Sequence, residues 1–308
     1  MLSGKLIRSL PLLSPGMGNA VQIPYKLRVL KWRLFRKSSG DAFLHQEYTR
    51  LYGKRLNTET PQTWSEKIFC RMLDLNREQN PLFTKLADKY QVREFIREKI
   101  GEEYLVKLIW SGTDPAAIPC DTLPEKCMIK TNHGSGGNIV YKAGADRSAI
   151  IAKVRKWLGE NYYWGAREYH YYHIPRRVLV EEFLDDGFED GPLDYRFFCF
   201  NGEPEVIQVD NGRHDINPFY DTEWNKLDVT YRDKFKERDI PKPENFDKMM
   251  ELARVLSKEF DFVRVDLYNL KGKIYFGEMT FTPVAGRFVF KPAAWDRKLG
   301  EKWKLARI

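Results

Sequence analysis

The sequence predicts an α+β protein with mostly antiparallel sheets, preceded by a short helical region. Three observations lead there. Between Asp41 and Ile100, apolar residues recur three and four apart, the helical period. From about Glu102 onward, short β-rich runs bounded by turn residues dominate, with helical stretches between them. Two of those runs fold back on their neighbours around glycine-containing turns, which makes hairpins.

Taken in order, HQEYTRLYGKRL, TWSEKIFCRMLDLN and PLFTKLADKYQVREFIREKI carry the helical pattern. Thr63, three residues ahead of Glu66, supplies a capping box for the second of them. EEYLVKLIWSG reads as a strand and DPAAIPCDTLP as a Pro-rich connection. KCMIKT and NIVYKA are strands of a hairpin around KTNHGSGGN. RSAIIAKVRKWLGEN is an amphipathic helix with Ile150, Ile151, Val154, Trp157 and Leu158 on one side. RRVLVEEFL, LDYRFFCFNG and PEVIQVD are three further strands, and NFDKMMELARVLSKEF is a helix. FVRVDLYNLKGKIYFGEMT is a strand pair turning near Lys271-Gly272.

The net charge of +8 over 308 residues suggests nucleic acid until it is mapped. Residues 1–40 hold eight basic residues and no acidic one, and the other 43 basic residues balance the 43 acidic ones. An excess confined to an arm points to surface anchoring and away from a nucleic-acid-binding core. Within it, YKLRVLKWRLFRK alternates apolar and basic residues. Two readings stand: peripheral contact with an anionic membrane face, or packing on the protein itself. No apolar run is long enough to span a bilayer. Cys70, Cys120, Cys127 and Cys199 have no metal or disulfide spacing, as in a reducing cytoplasm.

Three stretches can carry chemistry. In KTNHGSGGN, a small Gly-rich loop brings backbone N–H groups close to phosphate oxygens, with Lys130 adding charge. It lacks the Lys-Ser/Thr of a Walker loop, and a bland flexible hairpin has the same composition. In the last strand pair, centring the hairpin on Gly272 sets Asp266 opposite Glu278, with Arg264, Phe276 and Thr280 on the same face. Two facing carboxylates fit Mg²⁺, and equally a salt-bridge ladder around Arg264. In RVLVEEFLDDG, a buried strand runs into a linker whose backbone can pair with an adenine edge, or is only an acidic loop.

The order of these stretches resembles the ATP-grasp superfamily, and more narrowly the TupA-like ATP-grasp proteins of bacterial surface-polysaccharide gene sets, named for teichuronopeptide synthesis. The resemblance runs from about Tyr52 onward through TWSEKI, LADKYQVREFI, IGEEYL, IKTNHGSGGN, DYRFFCFNG, RVDLY and FGEMTFTPVAG. It implies an ATP-grasp fold, two α+β subdomains holding ATP and Mg²⁺ between them. The implied division is a basic arm over 1–40, a mostly helical region over 41–120, and subdomains over 121–185 and 186–308. Lys89 and Lys130 would contact phosphates, and the loop of His133, Gly134, Ser135, Gly136 and Gly137 would close over them. Glu181, Glu182, Phe183 and Leu184 would line the adenine. Asp266 and Glu278 match the metal ligands, and Thr280 joins them as a weaker ligand where many relatives have Asn. Arg264 would sit by the transferring phosphoryl group and Arg213 by phosphate or substrate.

The chemistry so implied is amide ligation through an acyl phosphate, joining an amino acid to a uronic acid or other sugar-bound carboxylate at the inner face of the plasma membrane. Polysaccharide assembly enzymes would be its partners. Two alternatives are carried: a glycosyltransferase using Asp185-Asp186 or Asp194 for a metal and a sugar nucleotide, and a silent nucleotide-binding scaffold.

Overall fold

In the computed structural model, residues 40–185, 187, 192–212, 214–231, 235–236 and 238–306 are described. The helical pattern before Ile100 becomes α1 (Gly40–Tyr52), α2 (Trp64–Glu78), α3 (Pro81–Ala87) and α4 (Val92–Lys99). The capping box forms at α2: the Thr63 hydroxyl accepts from the Glu66 N–H at 3.2 Å, and the Glu66 carboxylate accepts from the Thr63 N–H at 3.1 Å. Between α3 and α4 the helical run is broken. Asp88 accepts from the Tyr90 N–H at 2.8 Å and from the Asn132 amide at 2.8 Å, and such side-chain bonds compete with helix. Lys89 therefore sits in a turn.

The first sheet contains β1 (Leu108–Gly112), β2 (Lys126–Thr131), β3 (Asn138–Lys142) and β4 (Val178–Glu182), in the order β1-β4-β2-β3, all antiparallel. Cys127, Ile129, Val178 and Val180 bury one face against Ile150 and Val154 of α5 (Arg147–Leu158). Alternation then sets Met128, Lys130, Leu179 and Glu181 on the opposite face. A short α6 (Tyr163–Ala166) lies between α5 and β4.

The second sheet holds β5 (Asp194–Phe200), β6 (Glu203–Asp210), β7 (Phe219–Tyr220), β8 (Lys226–Leu227), β9 (Phe262–Leu270) and β10 (Lys273–Thr280), ordered β10-β9-β5-β6-β7-β8. One face packs Phe197, Ile207, Val263, Val265 and Leu267 with residues of α3, α4 and α7 (Phe246–Ser257). The other face is divided. At one end Trp64 of α2 meets Phe198, Phe262, Phe288 and Phe290, with Leu299 of α8 (Ala294–Lys302) in the same cluster. At the other end lie Asp194, Arg196, Arg264, Asp266, Glu278 and Thr280.

The β9–β10 register shows how that polar end is made. Lys271 and Gly272 both take left-handed conformations and form a two-residue turn, so Leu270 pairs with Lys273 and Leu267 with Phe276. A bulge at Gly277 then shifts the ladder by one, and Glu278 falls opposite Asp266. The expected pairing of the two acids is present, but Phe276 is corrected. It faces the core with Leu267, because the extra residue lies between it and Glu278.

Among the described residues no helix is long and apolar enough to cross a membrane. The basic arm, residues 1–40, lies outside the described residues apart from the first position of α1. Cys70, Cys127 and Cys199 are buried and Cys120 is half-buried, all as free thiols.

Candidate active site

The Gly-rich loop is fastened at its base. The Thr131 N–H donates to the Gly137 carbonyl at 2.9 Å, and Asn132 is almost wholly buried. The Asn132 amide donates to Asp88 and to the Pro175 carbonyl, each at 2.8 Å, and its oxygen accepts from the Arg177 N–H at 2.7 Å. One side chain thus locks together the loop, the α3–α4 turn and the entry to β4. The His133 ring is turned inward. Its Nε2 lies 3.2 Å from the carbonyls of both Trp157 and Glu160, so that nitrogen carries the hydrogen and the ring is tied to the end of α5. Burial lowers its pKa. Its Nδ1 is buried without a partner, so what the residue presents at the loop surface is its backbone. Gly134 must be glycine, since a Cβ there would come within 2.8 Å of the Tyr162 ring. Ser135 and Gly136 are exposed at the tip, and Gly137 closes the loop.

Lys89 joins this loop to the second sheet. Its ammonium donates to the Gly134 carbonyl at 2.8 Å and lies 3.7 Å from Glu278 Oε2. Around Glu278 the polar face is continuous. Arg264 donates to both oxygens of Asp266, at 2.7 and 2.5 Å, and reaches Glu278 Oε1 and the Thr280 hydroxyl, each at 3.2 Å. Thr280 donates to Glu278 Oε1 at 2.8 Å. On β5, Arg196 donates to Asp194 at 2.8 Å, lies 2.6 Å from Asp210 and comes within 3.8 Å of Asp266. Burial raises the Asp266 carboxyl, against the pull of Arg264. Burial also opposes charge on Glu278, but Lys89, Arg264 and the Thr280 hydroxyl prevail and hold its pKa at about 2.

On the first sheet, Lys130 lies 2.5 Å from the buried Glu181, which also meets Arg93 at 3.3 Å. Glu182 is exposed, and its N–H donates to the Lys107 carbonyl at 3.0 Å. Phe183 lies under the Lys126 ammonium, 3.8 Å from its ring centre, and Leu184 is half-buried. Lys126 also meets the exposed Asp185 at 2.9 Å. Asp185 lies in the segment after β4, whereas Asp194 opens β5 of the second sheet. Arg213 and Asp186 lie outside the described residues.

The sequence reading missed several members. Asp88 and Asn132 act across 44 residues of chain, a pairing no local pattern signals. Arg196 was detectable as a lone cation in an otherwise aromatic strand. The segment YYWGAREYHYYH, with neither helical nor strand period, is also part of the site. Tyr162 backs the loop at Gly134, its ring 5.0 Å from that of Tyr171. Glu168 accepts the Thr282 hydroxyl at 2.6 Å, and burial lifts its pKa to about 7.

Among the described residues no group of three or more His, Cys, Asp or Glu side chains is arranged to hold a metal. Asp266 and Glu278 suit Mg²⁺ all the same, because that ion takes one or two carboxylates and completes its shell with water and substrate phosphates. The Thr280 hydroxyl already bonds Glu278 and Arg264, which makes it an orienting group for the carboxylate.

A protein-family model described as TupA-like ATPgrasp matches residues 66–304. No curated protein matches the chain. Among solved structures the chain is similar to a D-alanine–D-alanine ligase from Bacillus anthracis complexed with ATP, at 14% identity over 68% of this chain and 61% of that one, with a TM-score of 0.40. It is also similar to a D-alanine–D-alanine ligase from Helicobacter pylori, at 14% identity over 70% of this chain and 61% of that one, TM-score 0.42. An L-amino acid ligase from Bacillus licheniformis matches at 12% identity over 82% of this chain and 56% of that one, TM-score 0.42. The chain thus spans about three fifths of the length of the solved structures it matches.

Proposed function

The chain belongs to the TupA-like ATP-grasp family, and from that premise we propose that it is an ATP-dependent carboxylate–amine ligase. It joins an amino acid to a uronic acid or other sugar-bound carboxylate in bacterial surface-polysaccharide synthesis. The observation that carries this reading is the meeting of loop, lysine and carboxylate strand at Lys89. Lys89 and Lys130 contact the phosphates of ATP, and the backbone from His133 to Gly137 covers them. Glu181, Glu182, Phe183 and Leu184 line the adenine. Asp266 and Glu278 would hold Mg²⁺, which would supply positive charge against the phosphates. Arg264, on the same face as the two carboxylates, would stabilise the phosphoryl group moving to the substrate carboxylate. An amine then displaces phosphate and leaves an amide. The basic arm holds the enzyme at the inner face of the plasma membrane, beside the polymer-assembling enzymes.

The test is ADP release across a panel of amino acids and uronic acids, with Lys130→Ala and Asp266→Asn as controls. ADP release that needs both a carboxylate and an amine, and collapses in both variants, is the expected result. Binding of a sugar nucleotide without ATP overturns the ligase in favour of a glycosyltransferase.

A further inference from the structure

Among the described residues, most carboxylates buried near the loop and β10 have cationic partners; Asp88, whose bonds go to Asn132, Gln91 and the Tyr90 N–H, and Glu168 do not. Asp266 is held by Arg264, Asp194 and Asp210 by Arg196, and Glu181 by Lys130 and Arg93. Glu168 is 6% exposed, and its hydrogen-bonding partner is the neutral hydroxyl of Thr282. Arg287 is within electrostatic reach but is engaged by Glu47 at 3.0 Å. The other titratable groups facing Glu168 are Glu278, Tyr162 and Tyr171. None supplies positive charge, and two carboxylates in mutual reach favour a cation or a proton between them.

Its position gives that preference a use. Thr282 follows two residues after Thr280, at the end of β10. Tyr162 carries the loop on its ring at Gly134. Glu168 therefore adjoins both the strand and the loop that the ligase reading assigns to the transferring phosphoryl group. We propose that Glu168, beside the Tyr162–Tyr171 pair, is the ammonium-binding residue for the amine substrate and takes the proton that the amine must lose. This rests on the ligase reading for the step that follows. The ammonium gives one proton to the Glu168 carboxylate, and the neutral amine forms a C–N bond to the acyl carbon. The C–O bond to phosphate breaks, and phosphate leaves with the bonding electrons and the second amine proton. Thr282 fixes the carboxylate, and the two tyrosine rings give the substrate an aromatic wall.

The test needs no knowledge of the true substrate. The purified protein is titrated with ethanolamine, glycinamide and glucosamine, with ethylene glycol and N-acetylglucosamine as uncharged counterparts, reading intrinsic fluorescence. Each titration is run with and without Mg²⁺ and a non-hydrolysable ATP analogue. The amines are expected to bind, more tightly as pH rises from about 6 to about 8, and the uncharged compounds to bind at least tenfold more weakly. Glu168→Gln, which keeps the shape and the Thr282 contact, weakens amine binding at least tenfold while nucleotide binding persists. Thr282→Val keeps the carboxylate but moves the onset of amine binding to higher pH, because a hydrogen bond to the charged form is lost. Equal amine binding by wild type and Glu168→Gln, or none by wild type, overturns the proposal. Failure to bind nucleotide overturns the ligase reading instead, and leaves the amine titration readable on its own.

Discussion

Replacing Gly277 by alanine tests how the two opposed acids are set. The bulge at Gly277 brings Glu278 opposite Asp266. A Cβ at position 277 would lie 3.0 Å from the Asp266 carbonyl oxygen and 3.3 Å from the Tyr268 ring. That carbonyl is backbone of β9, which is held between β5 and β10, so it yields only by moving the strand that carries the acid. Overpacking of this kind destabilises by about 1–3 kcal/mol. Urea unfolding reads it as a lower midpoint at unchanged slope. The same displacement moves the Asp266 carboxylate, and affinity for the Mg²⁺–nucleotide complex falls by about tenfold, equivalent to ~1.4 kcal/mol. Gly165→Ala is the control, in α6 where an added Cβ meets nothing within 4 Å, and its expected effect is neutral or mildly stabilising. A Gly277→Ala protein with wild-type midpoint and wild-type affinity would refute the reasoning. Lost stability with intact affinity would refute the link between bulge and site.

Three further outcomes are expected. Glu168 has a folded-state pKa of about 7 against an ordinary 4.5. The unfolded chain therefore releases that proton first, and stability falls as pH rises between those values, by up to ~3 kcal/mol; Glu168→Gln should flatten that part of a stability-versus-pH curve and raise stability above pH ~7. Asn132→Ala removes three buried hydrogen bonds and leaves their partners unsatisfied, so a loss of about 2–4 kcal/mol should appear in chemical denaturation. Thr63→Ala opens the capping box of α2 and should lower stability by about 1 kcal/mol, with helicity by circular dichroism reduced only slightly.

Local chemistry made much of the molecule readable in advance. The capping box at Thr63 and the hairpin around KTNHGSGGN follow from spacing over a few residues, whereas Asp266 and Glu278 face each other through the Gly277 bulge and not through a turn centred on Gly272. Four things escaped such spacing. The helical run before Ile100 breaks at Asp88 because Asn132 and Tyr90 draw its carboxylate out of register. Phe276 changed faces because one glycine was absorbed as a bulge, which leaves no mark on an alternating pattern. His133 looked like a loop residue until the end of α5 was in place to receive its ring. Glu168 was hidden in an aromatic segment with no period to read, and its character comes from what covers it.

The ammonium of Lys89 touches the loop of one sheet and the last strand of the other, from a turn that belongs to neither. During synthesis, a growing chain short of Glu278 carries both lysines and the whole loop but lacks the carboxylate that completes the trio. On the ligase reading, the nucleotide site is complete only once nearly all of the second sheet has been made.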